Sequence, residues 1–374
     1  MSKLSDLSAA GTAVWLDFVD RKFLEAKGLE KLVNEDGLTG VTSNPSIFEK
    51  AMGHGDAYDA TLAAFDKANP GAATIDRYEH LAIQDIKAAA ETLQPVYDRL
   101  DGKDGYVSLE VSPYIADDTD ATIAEADKLW HMVDRKNLMI KIPGTVAGAP
   151  AISATIAKGI NVNVTLLFAL DAYIRVAEAY ATGLEERVRQ GQPIDHIASV
   201  ASFFVSRIDT VIDKEIDRRV AEGDPEAETL KGLRGKVAIA NAKMAYQWFL
   251  DFEQSDRWQA LAAKGAQPQR LLWASTGVKD KAYPDTLYVD TLIGRDTVNT
   301  MPPATMDAFR ERGTVAETLT QDVDGARKVL ADAERLGLNL TGVTDTLVLE
   351  GVASFAKAFD DLLASIAAKQ PAEA

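Results

Sequence analysis

The run NLMIKIPGT (137–145) sets a lysine, Lys141, among apolar residues, and two other short apolar runs carry a carboxylate: Asp17 in AVWLDFV (13–19) and Glu110 in YVSLEVS (106–112). An unpaired charge in such a setting costs several kcal/mol or is neutralised. A lysine ammonium titrates near about 10.4 in water, and an apolar wall moves that down. A neutral amine condenses with a carbonyl to a Schiff base. The protonated imine draws electrons from the neighbouring carbon–carbon bond, and two carboxylates can move the protons. The chemistry suggested is aldol cleavage or transfer without a cofactor. The rival reading is a buried ion-pair cluster, but such pairs stabilise a fold only weakly.

Strand alternation decides which side chains share a face. In VWLDF, Asp17 shares a face with Trp15, opposite Val14, Leu16 and Phe18. In VSLEV, Ser108 and Glu110 oppose Val107, Leu109 and Val111; in LMIKI, Met139 and Lys141 oppose Ile140 and Ile142. NVNVT sends Asn161, Asn163 and Thr165 to the polar side, and the second run sends Thr42 and Asn44 there. Ser202 and Ser275 close the sixth and seventh runs. Seven strands therefore carry polar groups to one face, near their C-terminal ends. Some of these groups have plainer readings. Asn44 before Pro45 is also a standard helix N-cap, and Thr165 and Ser275 could bond to their own backbone.

Positioning these groups takes a repeated strand–helix unit. Strand candidates lie at 13–19, 38–45, 106–112, 138–143, 160–168, 197–206, 270–276 and 286–294, mostly with helical patterns between them. That alternation implies parallel strands with crossover helices. Eight units predict an α/β fold, a closed (β/α)₈ TIM barrel whose active site lies at the C-terminal ends of the strands. An open doubly wound sheet is the rival, weakened by the absence of a GxGxxG or GxxxxGK[ST] motif after the first strand. Helical insertions are expected at 46–105 and 220–269, with amphipathic helices across 322–368 packed on the outside and a frayed tail at 369–374. One domain spanning 1–374 is the simplest organisation.

Composition narrows the function further. The 374 residues carry a formal net charge of −17 and no cysteine. Thiol nucleophiles and zinc-thiolate sites are excluded, and nucleic-acid or anionic-membrane binding is disfavoured. Four histidines, His54, His80, His131 and His196, lack ligand spacing, so no metal site is expected. With neither a signal-peptide pattern nor a membrane-length apolar run, a cytoplasmic protein is expected. An anionic substrate would need a local basic site to hold it against the overall charge.

The segments GVTSNPSIFEKA, MIKIPGT, GINVNVTLLF, VASFFVSRID and LLWASTG…YVDTLIG…TVNTMPP resemble the transaldolase family in its longer bacterial form, from about Val14 to Ala364. The resemblance implies that Lys141 forms the Schiff base with C2 of a ketose phosphate, and that Asp17 takes the C4 hydroxyl proton as C3–C4 breaks. Glu110 acts with Thr165 through a water. Asn44, Asn163 and Ser202 hold the dihydroxyacetone unit, and Arg207 binds phosphate, which suits its paired donors. Without the family, Arg207 reads as a surface arginine paired with Asp209 or Asp213. Short relatives carry Ser-Phe-Arg after the seventh strand, where this chain has ASTGVKD. Ser275 matches the serine, and Lys279 replaces the arginine, with Lys281 and Arg295 as competitors.

The implied activity is transfer of dihydroxyacetone from sedoheptulose 7-phosphate to glyceraldehyde 3-phosphate in the non-oxidative pentose phosphate route. Sugar phosphates are then the binding partners. A class I aldolase releasing free dihydroxyacetone is the alternative, and a non-catalytic sugar-phosphate-binding barrel is a third reading. The sequence leaves the oligomeric state open, a homodimer included.

Overall fold

The computed structural model describes residues 2–369. Its eight strands are β1 (Thr12–Asp17), β2 (Gly40–Thr42), β3 (Tyr106–Glu110), β4 (Leu138–Pro143), β5 (Val162–Leu167), β6 (Ser199–Phe204), β7 (Arg270–Ala274) and β8 (Thr297–Met301). All are parallel and close in sequence order, β8 pairing with β1. This is the (β/α)₈ TIM barrel that the alternating pattern predicts. Strands β4, β5 and β6 are buried along their whole length, as a barrel wall covered by helices must be.

The eighth strand differs from the expectation. TLYVDTLIG (286–294) is no strand: Leu287–Asp290 forms one helical turn, with the Thr286 hydroxyl donating to Asp290 at 2.7 Å. The strand is the more polar TVNTM. Its polar groups find partners inside the wall: Thr297 with Thr12, Asn299 with Thr276 and Thr300 with Thr42. Apolar content favours 286–294; cross-barrel hydrogen bonds, which only the closed barrel supplies, select 297–301.

The N-terminal end of the barrel is plugged. Asp104 accepts from Trp15 Nε1 at 2.9 Å, Thr39 Oγ1 at 2.8 Å and Arg270 Nη1 at 3.0 Å. Gly40 must be glycine here, since a Cβ would lie 2.3 Å from the Trp15 ring. Trp15 and Met139 are fully buried and form the layer beneath Asp17 and Lys141 on the same strand faces.

The insertion at 46–105 is helical, with helices Pro45–Met52, Asp59–Ala68 and Thr74–Arg99; the one at 220–269 holds Ala227–Lys231, Val237–Glu253 and Asp256–Ala262. Val323–Arg335 packs outside, against Val237–Glu253. The terminal helix, Leu340–Ala368, does not lie on the outside as expected. It contacts β5 and the helices that follow β2 and β6, and so crosses the C-terminal mouth of the barrel. A bulge in β5 puts Leu166 at φ +58°, and its side chain packs where a Cβ on Gly351 would come within 2.8 Å. Lys369 is tied to Gly55 O and Asp59, while 370–374 of the expected frayed tail lie outside the described residues. No described helix is long and apolar enough to cross a membrane.

Candidate active site

Parallel register aligns the chemistry. Glu110 pairs with Lys141 across β3 and β4, and Lys141 with Asn163 across β4 and β5, so the three stand in one row. Thr165 lies one inward step further along β5, opposite Pro143. Asp17 sits opposite Thr42, whose hydroxyl donates to its carboxylate at 2.7 Å. Ser202 donates to Asn163 Oδ1 at 2.7 Å, and Asn163 Nδ2 donates to Ser108 at 3.0 Å, which fixes the amide.

Lys141 is 4% exposed. Its Nζ donates to the Ser43 carbonyl at 2.9 Å and lies 3.2 Å from Glu110 Oε2, a contact of charges without hydrogen-bond alignment. Burial pushes the Asp17 carboxyl up, against the pull of Lys141, the Thr42 bond, Arg207 and Lys50. Burial also pushes Glu110 up, opposed by Lys141 and reinforced by Asp17. Both acids therefore hold protons more readily than free carboxylates. Thr165 is fully buried, and its hydroxyl has no hydrogen-bond partner among the described residues.

A cavity of ≈ 340 Å³ opens above this row, large enough for a sugar phosphate. Asp17, Asn44, Lys141, Thr165, Ser202, Arg207, Ser275 and Lys279 all line it. Asn163 and Glu110 stand behind, reaching it through Ser202 and Lys141. Asn44 does cap the helix Pro45–Met52, its Oδ1 accepting from Ile47 N at 3.0 Å, and it also faces the cavity. Both readings of that residue hold together.

Arg207, the second residue of the helix Ser206–Ala221, stacks over Phe204 with Cζ 5.0 Å from the ring centre. It pairs with neither Asp209 nor Asp213. Asp209 accepts from Ala238 N and Tyr288, and Asp213 from Gly235 N and Tyr283. Among the described residues no carboxylate lies within 4.0 Å of its guanidinium, so the charge faces the cavity unpaired. Ser275 holds φ +54° and contacts Ser206 Oγ at 3.0 Å, turning the chain from β7 over the mouth.

Neither competitor of Lys279 lies at the cavity. Arg295 precedes β8, at the opposite end of the barrel, paired with Glu253 and Asp296. Lys281 is exposed and does not line the cavity. Several lining residues escape the sequence reading, Lys50 and Phe355 among them. Lys50 shares a helix face with Ser46 at i, i+4, and this spacing from the Asn44 cap was a usable signal. Phe355 arrives on the terminal helix, and no local pattern announces it.

The family described as Transaldolase/Fructose-6-phosphate aldolase matches residues 14–366. A transaldolase of Thermobifida fusca is 49% identical over 367 residues, covering 98% of this chain and 98% of that protein. One of Trichodesmium erythraeum is 45% identical, covering 98% and 97%. Transaldolase 2 of Streptomyces coelicolor is 48% identical, covering 98% and 96%. A match of that extent, on a barrel that gathers these side chains at one mouth, means that this chain belongs to the transaldolase/fructose-6-phosphate aldolase family.

Proposed function

We propose that the protein is a transaldolase, a transferase that moves a dihydroxyacetone group from sedoheptulose 7-phosphate or fructose 6-phosphate to glyceraldehyde 3-phosphate or erythrose 4-phosphate. The observation that carries this reading is one buried lysine, 3.2 Å from a carboxylate, under a cavity whose rim cations have no ion-pair partner among the described residues. Glu110 takes a proton from Lys141, and the freed amine adds to C2 of the ketose. Glu110 returns that proton to the departing oxygen, the added nitrogen supplies the second, water leaves and a protonated imine remains. Asp17 removes the C4 hydroxyl proton as the C3–C4 electron pair moves into the imine. The aldehyde departs, the acceptor adds by the reverse path, and hydrolysis frees the product.

Thr165 works with Glu110 in handling that water. Asn44, Asn163 and Ser202 hold the three-carbon unit, and Arg207, Ser275 and Lys279 hold the phosphate. The sequence requires no cofactor for these steps. The same reading takes 1–374 as one domain acting in the cytoplasm on sugar phosphates, with a homodimer compatible with it.

Borohydride treatment with fructose 6-phosphate should leave an adduct on Lys141, read by mass spectrometry of peptides. Lys141→Ala should remove both adduct and turnover. Asp17→Ala should still trap an adduct while cleaving about 10²–10⁴-fold more slowly, the span usual for a general acid–base. A wild-type protein without the adduct would end this reading. Turnover that depends on erythrose 4-phosphate marks transfer; equal turnover without it marks the alternative, an aldolase that releases dihydroxyacetone.

A further inference from the structure

A second cavity, of ≈ 20 Å³, lies between β3 and the helices Thr74–Arg99 and Thr119–Val133. That is room for a single water. Glu110 lines this cavity and not the substrate cavity. Its side chain is 5% exposed, and its buried Oε2 has no aligned hydrogen bond, its nearest donor being Lys141 Nζ at 3.2 Å. Across the space stand Tyr78, Glu79 and Glu125, none of which the steps above employ. Glu125 accepts from Ser112 N at 3.0 Å. Lys128, half exposed, reaches in from the surface to Glu79 at 2.6 and 2.7 Å. The Tyr78 phenol is held protonated by burial and by the charges of Glu110, Glu125 and Glu79, so it remains a donor among acids.

Each imine formed on Lys141 releases one water: C2–N forms, C2–O breaks, and the oxygen leaves with two protons. Each hydrolysis consumes one. A bound ketose phosphate fills the front cavity at that moment. Glu110 stands on the wall of the small cavity and 3.2 Å from Lys141 Nζ, which lines the front one, and Asn44 lines both.

We infer that the small cavity is the water compartment of the reaction, receiving the water expelled at imine formation, returning it for hydrolysis and exchanging with solvent past the Glu79–Lys128 pair. Tyr78 and Glu125 are then positioning residues that orient this water toward Glu110. The inference rests on the imine reading of the preceding section.

The test uses full-length wild type, Tyr78→Phe and Ala82→Leu, the last filling the cavity from its wall. With fructose 6-phosphate alone, imine formation is timed by borohydride quenching and hydrolysis by release of dihydroxyacetone. With the three-carbon imine preformed, addition of erythrose 4-phosphate is followed as the trapped adduct grows to seven carbons. Both variants should slow formation and release by about tenfold or more, within what a proton-handling group supplies. Carbon–carbon bond formation, which neither makes nor uses water, should stay within about twofold of wild type. A merely structural defect would slow all three steps, and that result would overturn the inference. So would formation and release within about twofold of wild type. Should Ala82→Leu not fold, Tyr78→Phe, which loses only a hydroxyl, decides. A wild-type adduct with unaffected variants fails this inference alone; no wild-type adduct fails the imine reading with it.

Discussion

Asp17 and Lys141 are placed where function and stability pull apart. Burial is the largest influence on Asp17 and raises its carboxyl above the usual range, in spite of the Lys141 and Thr42 partners. Below the unfolded value the acid is protonated in both states and costs nothing. As pH rises toward the folded value, the unfolded chain ionises first and stability falls. Asp17→Asn keeps an oxygen to accept from Thr42 and removes that burden. It should melt no lower than wild type at pH 8 while losing about 10²–10⁴-fold in turnover. Thermal melts beside steady-state rates check this; a clear drop in melting temperature at pH 8 would make Asp17 a structural residue. At this scale the sequence was informative. Two-residue alternation alone puts Glu110, Lys141 and Asn163 on one face, because a wall buried on both sides tolerates polar groups only where they meet one another. It does not place Phe355, whose position depends on a helix more than a hundred residues further along the chain.

Among the elements, the helix Ser206–Ala221 and the segment after β7 carry the two sides of the proposed phosphate end. They are joined behind it: Tyr283 donates to Asp213 at 2.7 Å, Tyr288 to Asp209 at 2.9 Å, and Arg234 pairs with Asp280 at 2.8 Å. Burial pushes the Asp209 carboxyl up to about 7, with Asp213 adding to the rise and the Ala238 N–H and Tyr288 bonds opposing it. Its raised folded value means that its contribution is fully present below about 4 and is lost as pH climbs through 7. Each pH unit between costs the folded state up to about 1.4 kcal/mol. Asp209→Asn should flatten the decline of stability between about pH 4 and 7, measured by urea unfolding across that range. An unchanged slope would show that Asp209 ionises in the fold as freely as in the unfolded chain. Arg207 lies two residues away and keeps its own charge, so phosphate binding at pH 8 should persist in the variant. The sequence patterns locate seven of the eight strands but misplace the last. YVDTLI has the apolar content of a strand and TVNTM does not. What selects TVNTM is pairing with Thr12 and Thr42 on other strands and with Thr276 just past β7, information absent from any local window. The terminal helix misleads for a similar reason: its amphipathic pattern shows that it packs, while Gly351 against the Leu166 bulge determines where.

For the molecule as a whole, the charge of −17 should repel the anionic substrate of the proposed reaction. The cavity reverses that locally, with Lys50, Arg207 and Lys279 on its rim against Asp17 in its floor. The two effects differ in range, and salt separates them. At 0.01 M ionic strength the screening length is about 30 Å, so a phosphate approaching the mouth feels the whole negative surface; at 0.15 M it is about 8 Å and the rim cations dominate. For the wild type kcat/KM should therefore rise, by up to a few-fold, from the lower to the higher ionic strength, the reverse of an enzyme steered by its net charge. Lys279→Ala should lower kcat/KM at both, through KM, and keep the same upward slope, because the distant charges are untouched. A further variant, with several surface acids far from the mouth changed to their amides, should flatten the slope while leaving KM at 0.15 M in place. A wild-type kcat/KM that falls steadily with salt would mean that the rim outweighs the rest of the surface even at long range. The phosphate site would then be the dominant electrostatic feature of the molecule instead of a local exception to it.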